Sequence, residues 1–142
     1  MSESGDVVGR KIEAFNAQDA EGLRAVYSAD CTEEVPGMTL RGAEEVVAYF
    51  SVFWEAFPDL RFTARTVVEQ GPFVAVLGHC RGVHSGTLTL PGGDVGPTDR
   101  VLDLPVSTFF EVGHGQILSA HLTFDQTTML GQLGLLPAGA TA

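Results

Sequence analysis

Basic side chains are scarce in this sequence. Of its 142 residues only 8 are lysine or arginine, against 18 aspartate or glutamate, and the formal charge is −10. A surface that acidic repels a phosphate backbone and an anionic bilayer alike, which argues against nucleic-acid and membrane partners. Cysteine is nearly as rare. Cys31 and Cys80 cannot build a disulfide framework and form no Cys-x-x-Cys pair, so they read as buried thiols in a reducing compartment. No apolar run approaches the ~20 residues a bilayer span needs. The opening, Met1 to Asp6, has neither the basic nor the apolar region of a secretory leader. A cytoplasmic location is expected.

Chemical motifs are missing too. The four histidines, His79, His84, His114 and His121, fall in none of the spacings of a histidine-built metal site. There is no Gly-x-Ser-x-Gly nucleophile elbow. The glycines between Pro91 and Pro97 do not link a strand to a helix, which excludes a dinucleotide cradle there. No metal and no cofactor are expected.

What the chain does have is apolar mass. Hydrophobic residues make up 44% and charged residues 18%, enough for one packed domain over 1–142, with 1–5 and 136–142 as flexible tails. Val8, Ile12 and Phe15 share a helical stripe. Asp19 caps a second helix, Ala20 to Ser28, with Leu23, Val26 and Tyr27 on its apolar face. Cys31 to Val35 reads as a strand stopped at Pro36-Gly37. A longer helix from Ala43 to Phe57 carries Val46, Val47, Phe50, Phe53, Trp54 and Phe57 on one wide face.

From Arg61 the period changes to two. Strands are expected at Phe62 to Glu69, Phe73 to Val83, Leu88 to Leu90, Val101 to Val112 and Gln116 to Phe124, then a short helix from Gln126 to Leu133. Helices first and strands second predict an α+β fold. A curved antiparallel sheet wraps around the N-terminal helices and leaves a cone-shaped barrel with a concave ligand site.

Candidate site residues follow from that picture. Phe15, Tyr27, Phe50, Trp54 and Phe57 would line the cone, with Trp54 and Phe57 near its floor. On the last strand, alternation puts Ser119, His121, Thr123 and Asp125 on one face and Leu118, Ala120, Leu122 and Phe124 on the other. Asp125 precedes Gln126-Thr-Thr and could cap the last helix. Deep in an apolar cone its carboxyl would instead be pushed toward neutrality, fit to give and take protons. His79 and Thr123 are further candidate contacts, and His84 could face the pocket mouth or water.

The motifs Phe15-Asn16-Ala-Gln-Asp19, Tyr27-Ser-Ala-Asp30, Gly42-Ala-Glu-Glu-Val46, Ala56-Phe57-Pro58-Asp59-Leu60, Gly82-Val83-His84-Ser85-Gly86 and Phe124-Asp125 through Leu130-Gly131-Gln132-Leu133-Gly134 follow one another in an order that resembles SnoaL-like polyketide cyclases. The resemblance runs from about residue 7 to 135. It implies an α+β barrel akin to nuclear transport factor 2 and ketosteroid isomerase, a homodimer formed through the outer sheet face, and a hydrophobic small-molecule substrate. It also implies intramolecular aldol closure of a polyketide with Asp125 as general acid/base. Apart from the resemblance, His121 could form a second proton-handling group beside Asp125, and His84 is a further catalytic candidate. Isomerase or cofactor-independent oxygenase chemistry on the same scaffold, or a non-catalytic binding or dimerisation module, are the alternatives. The chain departs from the family pattern at His121, where tryptophan is frequent, at Gly78, where bulk is expected, and in the lengthened turn Gly93 to Asp99. Those departures are expected to alter pocket shape and polarity.

Overall fold

The computed structural model describes residues 2–136. Three helices come early: α1 (Glu3–Asn16), α2 (Ala20–Val26) and α3 (Ala43–Ala56). Strands β1 (Tyr27–Val35) and β2 (Met38–Arg41) lie between the second and third. They are followed by β3 (Arg61–Gln70), β4 (Phe73–Val83), β5 (Leu88–Leu90), β6 (Gly93–Val95), β7 (Val101–Gly113), β8 (Gln116–Thr123) and α4 (Gln126–Gln132). Six strands form one sheet in the order β2-β1-β8-β7-β4-β3, and β5-β6 make a separate hairpin. This is the α+β cone expected, with one correction. The sheet is mixed, because β1 runs parallel to β8 while its other pairs are antiparallel.

Helix ends follow side-chain chemistry. Ser2 accepts the Gly5 N–H at 3.0 Å to start α1, so Glu3–Gly5, expected in a flexible tail, form its first turn. Residues 137–142 of the expected C-terminal tail lie outside the described residues. Asp19 accepts the Gly22 N–H at 3.0 Å to start α2. The stripe of α1 that packs inward is Val7, Val8, Lys11, Ala14 and Phe15, four-residue steps with a lysine among them. β1 begins at Tyr27 rather than Cys31, and β2 is an extra short strand on which only Leu40 is buried.

The sheet curls because its strands carry irregularities. Register shifts interrupt β1 between Tyr27 and Thr32, β3 between Ala64 and Thr66, and β8 at Leu118, opposite Glu111 and Val112 of β7. Each bulge bends its strand and increases the local twist. The hollow face receives α1 and α3. Val74 and Val76 of β4, Leu102, Leu104 and Phe110 of β7 and Leu122 of β8 all point into it. Asn16 locks β3 to the end of α1: its amide donates to the Phe62 carbonyl at 2.9 Å and its oxygen accepts the Phe62 N–H at 2.7 Å. Phe62 is thereby held in the wall of the hollow. A Cβ at Gly78 would run into the Thr63 carbonyl and this same ring, so Phe62 fills the place where bulk was expected from residue 78. No helix among the described residues is long and apolar enough to cross a membrane.

Candidate functional site

Between α1, α3 and the concave sheet lies a cavity whose open space, counted out through its mouth, is about 730 Å³. Its wall is aromatic and aliphatic: Phe15, Phe50, Phe53, Phe62, Phe110 and Phe124 supply rings, and Leu60, Leu102, Val106, Leu122 and Met129 fill between them. Four wall residues carry a polar side-chain atom, namely Lys11, Tyr49, Cys80 and Thr108. Burial holds the Tyr49 phenol above its ordinary value and pushes the Cys80 thiol up to about 11. Both therefore stay protonated at neutral pH.

Lys11 is the unusual member. It is the only lysine in the chain, the other seven basic residues being arginine. Its Nζ sits over three rings, 4.8 Å from the centroid of Phe50, 5.2 Å from Phe15 and 5.7 Å from Phe110. Among the described residues no hydrogen bond or ion pair reaches that nitrogen. Burial lowers its pKa, an effect partly offset by the negative charge of Glu33. Cation–π contacts contribute about 0.5–2 kcal/mol each toward keeping the ammonium form, against a larger cost of removing it from water.

Glu33 lies deeper, completely buried on the inward face of β1. Tyr27, also buried, donates its hydroxyl hydrogen to Glu33 Oε1 at 2.7 Å, while Oε2 has no partner. Burial raises the Glu33 pKa, opposed by Lys11 and by the Tyr27 hydrogen bond. Lys11 and Glu33 thus form a separated buried pair, each pushed toward its neutral form and each restrained by the other's charge.

The sequence expectations fare unevenly against this geometry. Phe15 and Phe50 line the cavity. Trp54 and Phe57 do not reach its floor. Trp54 packs behind Phe15 at 6.0 Å, and Phe57 is core beneath His84 at 5.3 Å. Tyr27 serves Glu33 rather than the wall. His84 is buried, but its Nδ1 accepts the Thr98 N–H at 3.2 Å and meets the Thr98 hydroxyl at 2.9 Å, outside the cavity. The lengthened turn thus supports His84 through Thr98, and none of its residues lines the cavity.

His79 is on the outer face, 3.2 Å from Asp103. Thr123 is exposed. His121 lies on the same outer face as His79, opposite Phe109, with Nδ1 2.9 Å from Glu34.

Asp125 requires the largest correction. It is exposed, and its carboxylate caps α4 by accepting the Thr127 N–H at 3.0 Å and the Thr128 hydroxyl at 2.9 Å. The Thr128 hydrogen bond, ahead of the backbone N–H bonds, lowers its pKa, the reverse of the water-starved carboxyl expected from the sequence. The physical reason lies in the alternation of β8. The apolar set with Leu122 and Phe124 faces the cavity, so Ser119, His121 and Thr123 face out.

The residues that sequence reasoning missed, Lys11 and Glu33, were nevertheless signalled. Lys11 stands four residues from both Val7 and Phe15, inside the buried stripe. Glu33 alternates between Cys31 and Val35 on an inward strand face.

A helix-filled cone of curved sheet closed around an apolar cavity defines a class of α+β barrels. Within that class, this chain belongs to the SnoaL-like domain family, whose model matches residues 8–120. Lys11 and Glu33 lie inside the matched stretch, and His121 and Asp125 lie beyond it. Similar solved structures include the candidate polyketide cyclase IdmH of Streptomyces antibioticus, 29% identical over 94% of this chain and 99% of that one, with a TM-score of 0.79. A candidate SnoaL-like polyketide cyclase of Jannaschia sp. CCS1 is 22% identical over 95% and 94%, TM-score 0.82. AclR, a candidate hydroxylase of Streptomyces galilaeus, is 20% identical over 96% and 99%, TM-score 0.81. No curated protein sequence matches at a significant level.

Proposed function

We propose that this protein is a cofactor-free cytoplasmic enzyme of the polyketide cyclase type, which binds a hydrophobic, polyketide-like ketone in the cavity and promotes intramolecular aldol closure or a closely related proton transfer. The observation that carries this reading is the placement of one amine, Lys11, in an otherwise oily, aromatic wall. Planar conjugated ketones match such a wall, and their polar atoms need one partner inside it. Aldol closure is redox-neutral and consumes no co-reactant. What it needs is a fold-imposed conformation of a floppy chain and help with charge at a carbonyl, the latter worth about 10²–10⁴-fold. Lys11 is the group positioned to supply that help. Asp125, bound to the N-terminus of α4, has no assigned part in the chemistry.

Dimerisation through the outer sheet face belongs to the same proposal. Phe73 and Phe109 stack there at 5.6 Å, both exposed, beside exposed Leu77. Binding is testable through the protein's single tryptophan, since Trp54 abuts the wall residue Phe15. Titration with a tricyclic aromatic ketone is expected to change Trp54 fluorescence saturably. Lys11→Met should weaken binding at least tenfold, and Asp125→Asn should leave it unchanged. Equal binding by Lys11→Met would refute the reading. Oxygen uptake during turnover would favour hydroxylation over ring closure.

A further inference from the structure

Resting on that reading of the cavity, we infer that Lys11 acts as a covalent catalyst, its amine condensing with a substrate ketone to form an iminium inside the aromatic cage. Three features of the site lead there. The nitrogen is presented into the cavity from the middle of α1, whose 14 residues hold the lysine stem in the buried stripe. Among the described residues no carboxylate pairs with it directly, so no ion pair holds it in the ammonium form, and Glu33 acts on it only at a distance. The faces of Phe15, Phe50 and Phe110 surround it, and those faces suit any cation at that point, an iminium as well as an ammonium.

Burial favours the neutral, nucleophilic form of the amine. The competing nucleophile in the wall, Cys80, stays a thiol because burial pushes it up to about 11. The identity of the residue fits as well. Arginine, which supplies every other basic side chain of this protein, keeps its proton at neutral pH and does not form an iminium with a ketone.

The balance of the step is simple. The neutral amine adds to the carbonyl carbon, and the carbonyl oxygen collects two protons and leaves as water. The C=N bond that forms carries the positive charge the ammonium had. Loss of a proton from the α-carbon then gives an enamine. That carbon attacks a second carbonyl of the same chain, forming the new C–C bond, and the oxygen attacked takes up a proton. One water hydrolyses the iminium, restoring the amine and matching the water released earlier.

The probe is 1-phenyl-1,3-butanedione, a hydrophobic 1,3-diketone that traps a buried amine as a conjugated enaminone. The full chain is mixed with it, binding is followed by Trp54 fluorescence, and the adduct by near-ultraviolet absorbance and intact mass. Expected is a saturable new absorbance band and a mass gain of one diketone less one water, mapped to the peptide holding Lys11. Lys11→Arg, which keeps the charge, should lose the adduct entirely while staying folded by circular dichroism. Lys11→Met should do the same, and Asp125→Asn should form the adduct at the unaltered rate. Diketone binding without an adduct, or an adduct that persists in Lys11→Arg, would overturn covalent catalysis and leave the ketone-binding reading standing. Failure of the wild type to bind the diketone at all would overturn that reading, and the covalent step with it.

Discussion

Two carboxylates in this protein sit in opposite surroundings. Glu33 is sealed beneath the cavity, served by one phenol, with its second oxygen unpartnered. Asp125 stands in water and is fully occupied by the N-terminus of α4. Burial lifts the first away from ionisation, whereas hydrogen bonds hold the second ionised. A carboxyl at the end of a strand therefore tells little about its chemistry until the face it turns to is known. One strand register decides the matter: the same β8 that sends Leu122 into the cavity sends His121 out to Glu34.

The sharpest way to break the contrast is to disable each region in turn. Lys11→Met, which removes the one basic side chain among the described wall residues, should cut turnover of a hydrophobic polyketide-like ketone by about a hundredfold or more, the scale of lost acid–base help. Asp125→Asn should change it less than threefold, since asparagine also caps helices. A reversed ranking in steady-state kinetics would return the chemistry to the rim.

A smaller effect is expected from Tyr27→Phe. It removes the hydroxyl that donates to Glu33 and leaves both carboxyl oxygens buried without a partner, at a cost of about 1–3 kcal/mol in urea denaturation. That loss has a pH signature. Glu33 binds its proton more tightly folded than unfolded, so its contribution is fully present below the ordinary carboxylate range. It is lost as pH rises through the elevated folded value. Tyr27→Phe removes a bond that favours the ionised form, so the penalty should be larger at pH 7 than at pH 4. An equal loss at both values would mean that Glu33 does not ionise in the folded protein. The smallest effect belongs to the exposed region: Asp125→Ala should lower the melting temperature by a few degrees while Asp125→Asn does not, as scanning calorimetry would show.

Most of the fold was legible in the sequence because it rests on local rules. The helical stripe of α1, the capping Asp19 and the alternation from Arg61 onward place most elements close to where they form. What local rules could not reach were the partners. Nothing in Tyr27–Val35 announces that it lies parallel to β8, and Met38–Arg41 is too short and polar to stand out until Leu40 finds the core.

The candidate site was less legible for the same reason. Phe15 and Phe50 follow from periodicity, but Lys11 looks like a surface residue until the stripe it occupies is seen to face a cavity. The polar face of β8 looked like a pocket lining because the sequence alone does not say which side of a strand is concave. The motif Phe15-Asn16-Ala-Gln-Asp19 proves mainly architectural, with Asn16 clamping β3, Asp19 capping α2 and only Phe15 reaching the wall.

A crystal structure with a bound tricyclic hydroxyketone tests the central claim most directly. Ligand density is expected among Phe15, Phe50 and Phe124, with a ligand oxygen within hydrogen-bond reach of Lys11 Nζ, or continuous density joining the two. Density seated instead in the outer groove beside Glu34 and His121, or a ligand oxygen held by Asp125 with Lys11 untouched, would contradict it.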